Sequence, residues 1–272
     1  MTKSKTADAQ LAELFTEIAI EASAAILAVD FRNAGTRRKA DNSAVTQADE
    51  AAHAVICGSL AKLVPGMTVI SEEAAAEWQG RETPAEFLLV DPLDGTAEFI
   101  AGRLEYTVNI ALVRDGTPVA GVVAAPALGL IWRGAVGHGA ERVTFTDGKA
   151  GAAEAIHTRA WPTEERIAAV SRTHFDAISA SFLERVAPVQ QVSCGSAIKF
   201  SRIAEGAIDV YPRLAPTSEW DVAAGHAVVV AAGGAVVAPD GGPLRYGRWH
   251  VGFRVEGFTA WGDAAAAKEF AG

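Results

Sequence analysis

Residues 87–100 read Phe-Leu-Leu-Val-Asp-Pro-Leu-Asp-Gly-Thr-Ala-Glu-Phe-Ile, an apolar run that ends in two carboxylates on either side of a rigid proline and then opens a new segment. Pro92 fixes its own φ and lacks an N–H, while Gly95 permits a tight turn. Asp91 and Asp94 can therefore converge on one point with the Leu93 carbonyl between them. Hard oxygen ligands in that number suit Mg²⁺. Thr96 opens the segment AEFI, whose exposed N–H groups, with that of Gly95, would form an anion seat at a helix start. A plain hairpin turn needs only the Asp-Gly. The preceding apolar run, MTVI at residues 67–70, also finishes in acids, Ile70-Ser71-Glu72-Glu73. Taken singly, either pair reads as a turn or a solvated edge; together they mark strand ends that aim carboxylates at one place.

Outward from this stretch, the runs MTVI, FLLV, YTVNIALV, VAGVVAA and LIWRGA are separated by Pro, Gly and Asp-Gly turns and read as strands. After Trp161 the pattern alternates: strand IAAV, helix from about Phe175, strand PVQQV, helix from about Ser196, strand AIDVY, helix from Glu219, strand GAVVA. That alternation is typical of layered α/β architecture. Upstream, Leu11, Leu14, Phe15, Ile18, Ala22, Ala25, Ile26 and Val29 form the stripe of an amphipathic helix with glutamates opposite. A second helix is expected from about Ala48 to Leu63. Between them lies a polar stretch, Arg32 to Ser43, with Arg37, Arg38, Lys39 and Asp41. It reads as a solvated loop, with a mobile lid over a site as the lesser reading because Asp49 follows it. The expected organisation is two unlike lobes: residues 1–150, an N-terminal α+β lobe with the acidic motifs, and residues 151–272, a C-terminal α/β lobe.

The chain has 272 residues, half of them hydrophobic and 21% charged, with a net charge of −9. This excludes disorder, collagen and a basic nucleic-acid coat. The acidic balance argues against a polyanion partner such as nucleic acid, though not against a small phosphorylated molecule held by metal ions. Cys57 and Cys194 lie far apart with no CxxC spacing, so neither a disulfide framework nor a structural zinc is expected. Glu13, Glu17 and Glu21 break any signal-peptide core. The expected location is the cytoplasm; peripheral membrane association stays open, although nothing basic and amphipathic argues for it. The uncharged run from Val222 to Pro239 approaches the length of a membrane span, but four interruptions, Gly225, Gly233, Gly234 and Pro239, make it a buried helix, a stop and a buried strand.

Asp221 follows Trp220 at the start of that helix, where it gains from the N-terminal dipole whether it serves as a helix acid or points into a cleft. By residue type alone, Ser196 can cap the helix after it, and Lys199 and Arg213 can be surface charges. His53, His138, His157, His226 and His250 show no zinc-type spacing. If Glu72, Asp91, Asp94 and Asp221 converge within about 4–5 Å, each close pair repels by roughly 3–4 kcal/mol at an effective dielectric near 20. Several such pairs rival a typical fold stability of about 5–15 kcal/mol. Divalent cations resolve that conflict.

Glu72-Glu73, Asp91-Pro92-Leu93-Asp94-Gly95-Thr96 and Trp220-Asp221-Val222-Ala223-Ala224-Gly225 resemble the three signatures of the inositol monophosphatase superfamily, lithium-sensitive, magnesium-dependent phosphomonoesterases. Within it, DPLDGTAEFI, EYTVNIALVRDGTPVAGVVAAP, SRTH at 171–174, CGSAIKF and DVYPRLAPTSEWD resemble the 3'(2'),5'-bisphosphate nucleotidase branch. The resemblance implies an αβαβα sandwich with the site between the lobes. It implies two or three Mg²⁺ ions on Glu72, Asp91, the Leu93 carbonyl, Asp94 and Asp221; of these Glu72, Leu93, Asp94 and Asp221, with Gly95 and Thr96, also face the substrate. Thr96 and Glu72, with Asp49 in VTQAD behind, would orient and help activate the attacking water, assisted by Glu73. Ser196, Lys199 and Arg213 would hold the nucleoside and its second phosphate, with His174 as a nucleobase neighbour. The implied reaction is hydrolysis of a small nucleotide bisphosphate, adenosine 3',5'-bisphosphate, to AMP and phosphate in sulfate assimilation, by a monomer or homodimer. An inositol or sugar monophosphatase is the alternative, and a non-catalytic nucleotide sensor a third reading. Two departures bear on substrate preference: Ala97 stands where lysine often follows the Gly-Thr, and Ala215 where glycine is common.

Overall fold

The computed structural model describes residues 7–38, 44–78, 80–173 and 175–270. The apolar stripe near the N-terminus forms α1 (Ala7–Leu27), which buries Phe15, Ile18, Ala22 and Ile26. A short antiparallel ribbon, β1 (Arg37–Arg38) with β2 (Ala44–Val45), precedes α2 (Gln47–Leu63). The polar stretch between the helices is thus bracketed by paired strands, and Arg37 forms an ion pair with Glu50 on α2. Lys39 and Asp41, two further charges of the suggested lid, lie outside the described residues.

Seven strands follow: β3 (Thr68–Ser71), β4 (Glu86–Asp94), β5 (Thr107–Arg114), β6 (Thr117–Ala125), β7 (Leu130–Ala135), β8 (Gly139–Thr146) and β9 (Lys149–Ile156). They lie in one sheet in chain order, and only β3 and β4 run parallel. A single short helix, α3 (Thr96–Ile100), joins β4 to β5. Strands β4, β5 and β6 are buried on both faces, which is why they read as continuous apolar runs instead of alternating ones. Strand β9 is exposed except at Ile156 and is otherwise built from Ala, Gly, Lys and Glu, so it carries no apolar run.

The second half supplies β10 (Arg166–Ser171), α4 (Ala177–Arg185), β11 (Val189–Cys194), α5 (Ile198–Ala204), β12 (Val210–Arg213), β13 (Thr217–Ser218), α6 (Glu219–Ala231), β14 (Ala235–Val237), β15 (Arg254–Val255), β16 (Phe258–Trp261) and α7 (Ala264–Phe270). The second sheet has the order β11-β10-β12-β16-β14, with β10 parallel to both neighbours and β16 antiparallel to both of its own. Strands β13 and β15 form a small ribbon.

Three packed cores give the layers. Leu88, Val90, Ile110 and Val122 pack on α1 and α2. Phe87, Leu89, Ala111, Val113 and Val123, from the opposite face of the same sheet, pack with α5, α6 and residues of the second sheet. Ala168, Val210 and Trp261 pack with α4 and α7. The fold is therefore a mixed α/β sandwich with the layer order αβαβα. Helix α6 lies between the sheets and approaches closely because its neighbours are small: a Cβ on Gly121 would stand 2.5 Å from the Ala224 carbonyl oxygen, and one on Gly225 2.4 Å from the Phe200 ring. The uncharged run resolves into α6, the Gly233-Gly234 stop and β14. No helix among the described residues is long and apolar enough to cross a membrane.

Candidate metal centre and its cavity

A cavity of about 310 Å³ opens where the first sheet meets α5 and α6. Glu72, Asp91, Leu93, Asp94, Gly95 and Thr96 line it from the first sheet's side; Ser196, Lys199, Arg213 and Asp221 line it from the other. Glu72 follows β3, and since β3 and β4 are parallel with Ser71 beside Val90, both chains deliver their acids at the same end of the sheet.

The convergence of Asp91 and Asp94 has a backbone cause. Residues three apart on a regular strand point to opposite faces. Here Asp91 pairs with Asn109 and Asp94 with Thr107, so β4 advances three residues while β5 advances two, and a bulge takes up the extra one. Pro92 suits this place because a bulge leaves an N–H without a ladder partner. Gly95 then turns the chain at φ +91°, where a Cβ would press on Glu105 and Tyr106.

Carboxylate oxygens of Asp91, Asp94 and Asp221 lie within 4.8 Å of one another. Asp91 is buried and accepts the Leu93 N–H at 3.0 Å. Burial, followed by the charges of Glu72, Asp94, Asp221 and Asp49, pushes its carboxyl well above the usual carboxylate range. Asp221 is the third residue of α6 and completes a capping box with Ser218, so the helix-acid and cleft-acid readings hold together. Its carboxylate also accepts from the Thr217 hydroxyl and is pushed up to about 6, by burial first and then by Asp94. Glu72 borders the same cavity and is the strongest neighbouring charge on Asp91, but stands outside the 4.8 Å group. Packed carboxylates with a carbonyl beside them form a hard, all-oxygen donor set, and their crowding without a cation is costly; the residues present fit Mg²⁺.

Asp49 ties this cluster to α2. One oxygen caps the helix by accepting the Thr46 N–H (2.7 Å) and hydroxyl (2.6 Å); the other lies 3.0 Å from the Thr96 hydroxyl. Burial outweighs these bonds and raises its pKa. Thr96 Oγ1 is also 3.2 Å from the Leu93 carbonyl oxygen. Glu73 raises the proton affinity of Asp49 through its charge and is not among the residues that line the cavity.

Ser196 has the left-handed φ of +53°, just ahead of α5, and its hydroxyl donates to Asp94 at 2.9 Å while lying 2.5 Å from Thr107 Oγ1 and 2.6 Å from the Ala197 nitrogen. It therefore secures a carboxylate of the cluster. Lys199 is no surface charge: it is buried, its ammonium donates to the carbonyls of Ser196 (2.6 Å) and Cys194 (3.2 Å), and burial lowers its pKa to about 8. A lysine has three N–H groups, so one remains beyond these two. Arg213 presents a buried Nε with no partner among the described residues. Two cations thus border the same cavity as the carboxylates. His174 lies outside the described residues, and Ala97 places only a methyl at the cavity wall.

Three supporting residues escaped the sequence reading. Thr107 sits opposite Asp94 in the ladder and holds Ser196. Glu105 accepts the Gly195 N–H at 3.0 Å and pairs with Arg172, fastening the Ser196 loop. Glu219, buried and pushed up to about 7, accepts the N–H groups of Gly247 and Arg248 at 2.5 and 2.9 Å and anchors the start of α6. Each is a single polar residue inside a run whose neighbours explain it only in three dimensions.

The inositol monophosphatase family model matches residues 7–264. The 3'(2'),5'-bisphosphate nucleotidase CysQ of Escherichia coli K12 is 43% identical over 208 residues, 76% of this chain and 81% of the relative. The structure of CysQ from Bacteroides thetaiotaomicron, a bacterial member of the inositol monophosphatase family, superposes with a TM-score of 0.77 at 34% identity, covering 93% of this chain and 97% of that one. An inositol monophosphatase from Zymomonas mobilis shares the fold, with a TM-score of 0.75 at 22% identity over 98% of each chain. On the carboxylate motifs, the layered fold and these matches, the chain belongs to the inositol monophosphatase family.

Proposed function

We propose that this chain is a magnesium-dependent phosphomonoesterase that hydrolyses adenosine 3',5'-bisphosphate to AMP and phosphate, acting in sulfate assimilation in the cytoplasm as a monomer or homodimer. The observation that carries the reading is one cavity that holds the Asp91, Asp94 and Asp221 carboxylates together with two cationic groups, the buried Lys199 and the half-buried Arg213. A substrate with two phosphates separated by a ribose needs both. The nucleotidase names of the relatives support the same choice.

Glu72, Asp91, the Leu93 carbonyl, Asp94 and Asp221 are the proposed ligands of two or three Mg²⁺ ions. Such ions neutralise phosphate charge, lower the pKa of a water and stabilise a leaving oxygen. The protein's own groups do the positioning. Thr96 can give its hydroxyl hydrogen to Asp49, leaving its lone pairs to accept a hydrogen bond from the attacking water. Asp49, with its raised proton affinity, is the place behind Thr96 where a proton can rest. Glu72 orients the same water, and the charge of Glu73 supports the raised proton affinity of Asp49. The N–H groups of Gly95 and Thr96 seat the reacting phosphate, while Lys199 and Arg213 hold the second one. His174 is proposed beside the nucleobase. On this reading residues 1–150 contribute most of the carboxylates and residues 151–272 the nucleotide contacts and Asp221.

The neutral Ala97 at the cavity wall keeps inositol or sugar monophosphates as the alternative. Phosphate release from adenosine bisphosphate, inositol phosphate and fructose bisphosphate, each with and without Mg²⁺, tests the assignment. At least a tenfold higher kcat/KM for the nucleotide, abolished without Mg²⁺, is expected. Preference for inositol phosphate would replace the nucleotidase reading, and tight nucleotide binding without turnover would make the protein a sensor.

A further inference from the structure

Asn109 stands in the middle of β5, directly opposite Asp91 in the antiparallel ladder, so the two side chains leave the sheet on the same face. That face looks toward α6: Ala111 and Val113, the alternate residues of β5, pack in the core that holds Val222, Ala224 and Val228, whereas Val108, Ile110 and Leu112 pack on the α1 and α2 side. Asn109 is 1% exposed, yet neither its Nδ2 nor its Oδ1 has a hydrogen-bond partner among the described residues. A carboxamide brings two N–H donors and an acceptor oxygen, and leaving all of them unmade in a core is destabilising. An aliphatic residue would continue the surrounding pattern without that cost. The orphaned amide therefore points to a partner that arrives with something else.

The neighbouring pair shows what that partner concerns. Two residues earlier on the same face, Thr107 stands opposite Asp94 and is linked to it through Ser196, by contacts of 2.5 and 2.9 Å. Asn109 holds the corresponding place opposite Asp91. Magnesium keeps several of its waters when bound by carboxylates, and those waters need acceptors. Groups that hydrogen-bond the ligands of a metal commonly tune its affinity.

We propose that Asn109 is a positioning residue of the cation centre, its carboxamide hydrogen-bonding the Asp91 carboxylate and the water shell that a divalent cation brings. The inference rests on reading Asp91, Asp94 and Asp221 as a cation site and deepens that reading.

The test uses the full chain without substrate and Mn²⁺ as the probe. Calorimetric titration gives the dissociation constant, and thermal melts with and without the ion give stability. Asn109→Leu removes the unpaired groups at similar volume. Its metal-free melting midpoint is expected to equal or exceed the parent's, while its Mn²⁺ dissociation constant rises at least about tenfold and its metal-induced midpoint shift shrinks. Asn109→Thr, which keeps one hydroxyl and suits a strand, is expected to fall between, and it decides the matter by the same measure if the leucine variant does not fold. Mn²⁺ affinity within twofold of the parent in the folded variant overturns the proposal, whatever its stability. A parent that binds no Mn²⁺ overturns the cation-site reading and this inference together; a binding parent with unchanged variants overturns this inference alone.

Discussion

Asp94 takes a hydrogen bond from Ser196 and faces two other carboxylates across less than 5 Å, so its geometry is fixed while its charge waits for compensation. Asp94→Asn keeps the shape and removes the charge. A loss of at least about a hundredfold in kcat is expected, as when a group that stabilises transition-state charge is removed, with an unchanged circular dichroism spectrum; near-normal turnover would refute the assigned role. At this scale the sequence was informative about chemistry and poor about direction. Asp91-Pro92-Leu93-Asp94 announces converging acids because proline and glycine constrain the backbone locally. Ser196 does not announce that it turns to Asp94, since that depends on a left-handed φ and on Thr107 from a distant strand. Thr107 and Asn109 hide inside YTVNIALV, where the surrounding apolar residues dominate the reading.

Helix α6 joins carboxylate chemistry to packing. A methyl at Gly225 meets the Phe200 ring at 2.4 Å, so Gly225→Ala is expected to destabilise by about 1–3 kcal/mol despite alanine's better helix propensity. Denaturant melts measure it, and an unchanged midpoint would show that the ring yields freely. His226, one residue on, is buried, lies 2.9 Å from the Tyr246 hydroxyl, and is held down to about 4 by burial. Between that value and 6.5 the unfolded chain binds a proton that the folded chain refuses, so this residue's contribution to stability is lost as pH falls from 6.5 toward 4. His226→Gln, which does not titrate, should lose less stability than the parent between about pH 7 and pH 5; parallel melting curves would exclude the effect. Strands β3 to β7, α1, α2 and α6 were legible because each is long or strongly apolar. Strands β8, β9 and β16 and helix α7 were not singled out: β9 is exposed and made of small residues, β16 has four residues, and α7 is AAAAKEF.

Across the molecule, one layer serves two sheets. Phe87, Leu89, Val113 and Val123 of the first sheet find their cover in residues of α5, α6 and the second sheet. The layered class was legible in the strand and helix alternation; the sharing of α6 was not, because sequence order does not say which face a late helix will cover. A fragment ending after Ile156 keeps all seven strands but loses that cover. It is expected to aggregate under conditions where the full chain is monodisperse by light scattering, and a soluble, cooperatively melting fragment would disprove the dependence. The last residue of α6, Ala231, comes 231 − 156 = 75 residues after the end of β9. At translation speeds of about 5–20 residues per second that gap lasts on the order of 4–15 s. During synthesis, then, the nascent first sheet must wait on the ribosome with one greasy face bare, a window in which holdase chaperones have something to grip.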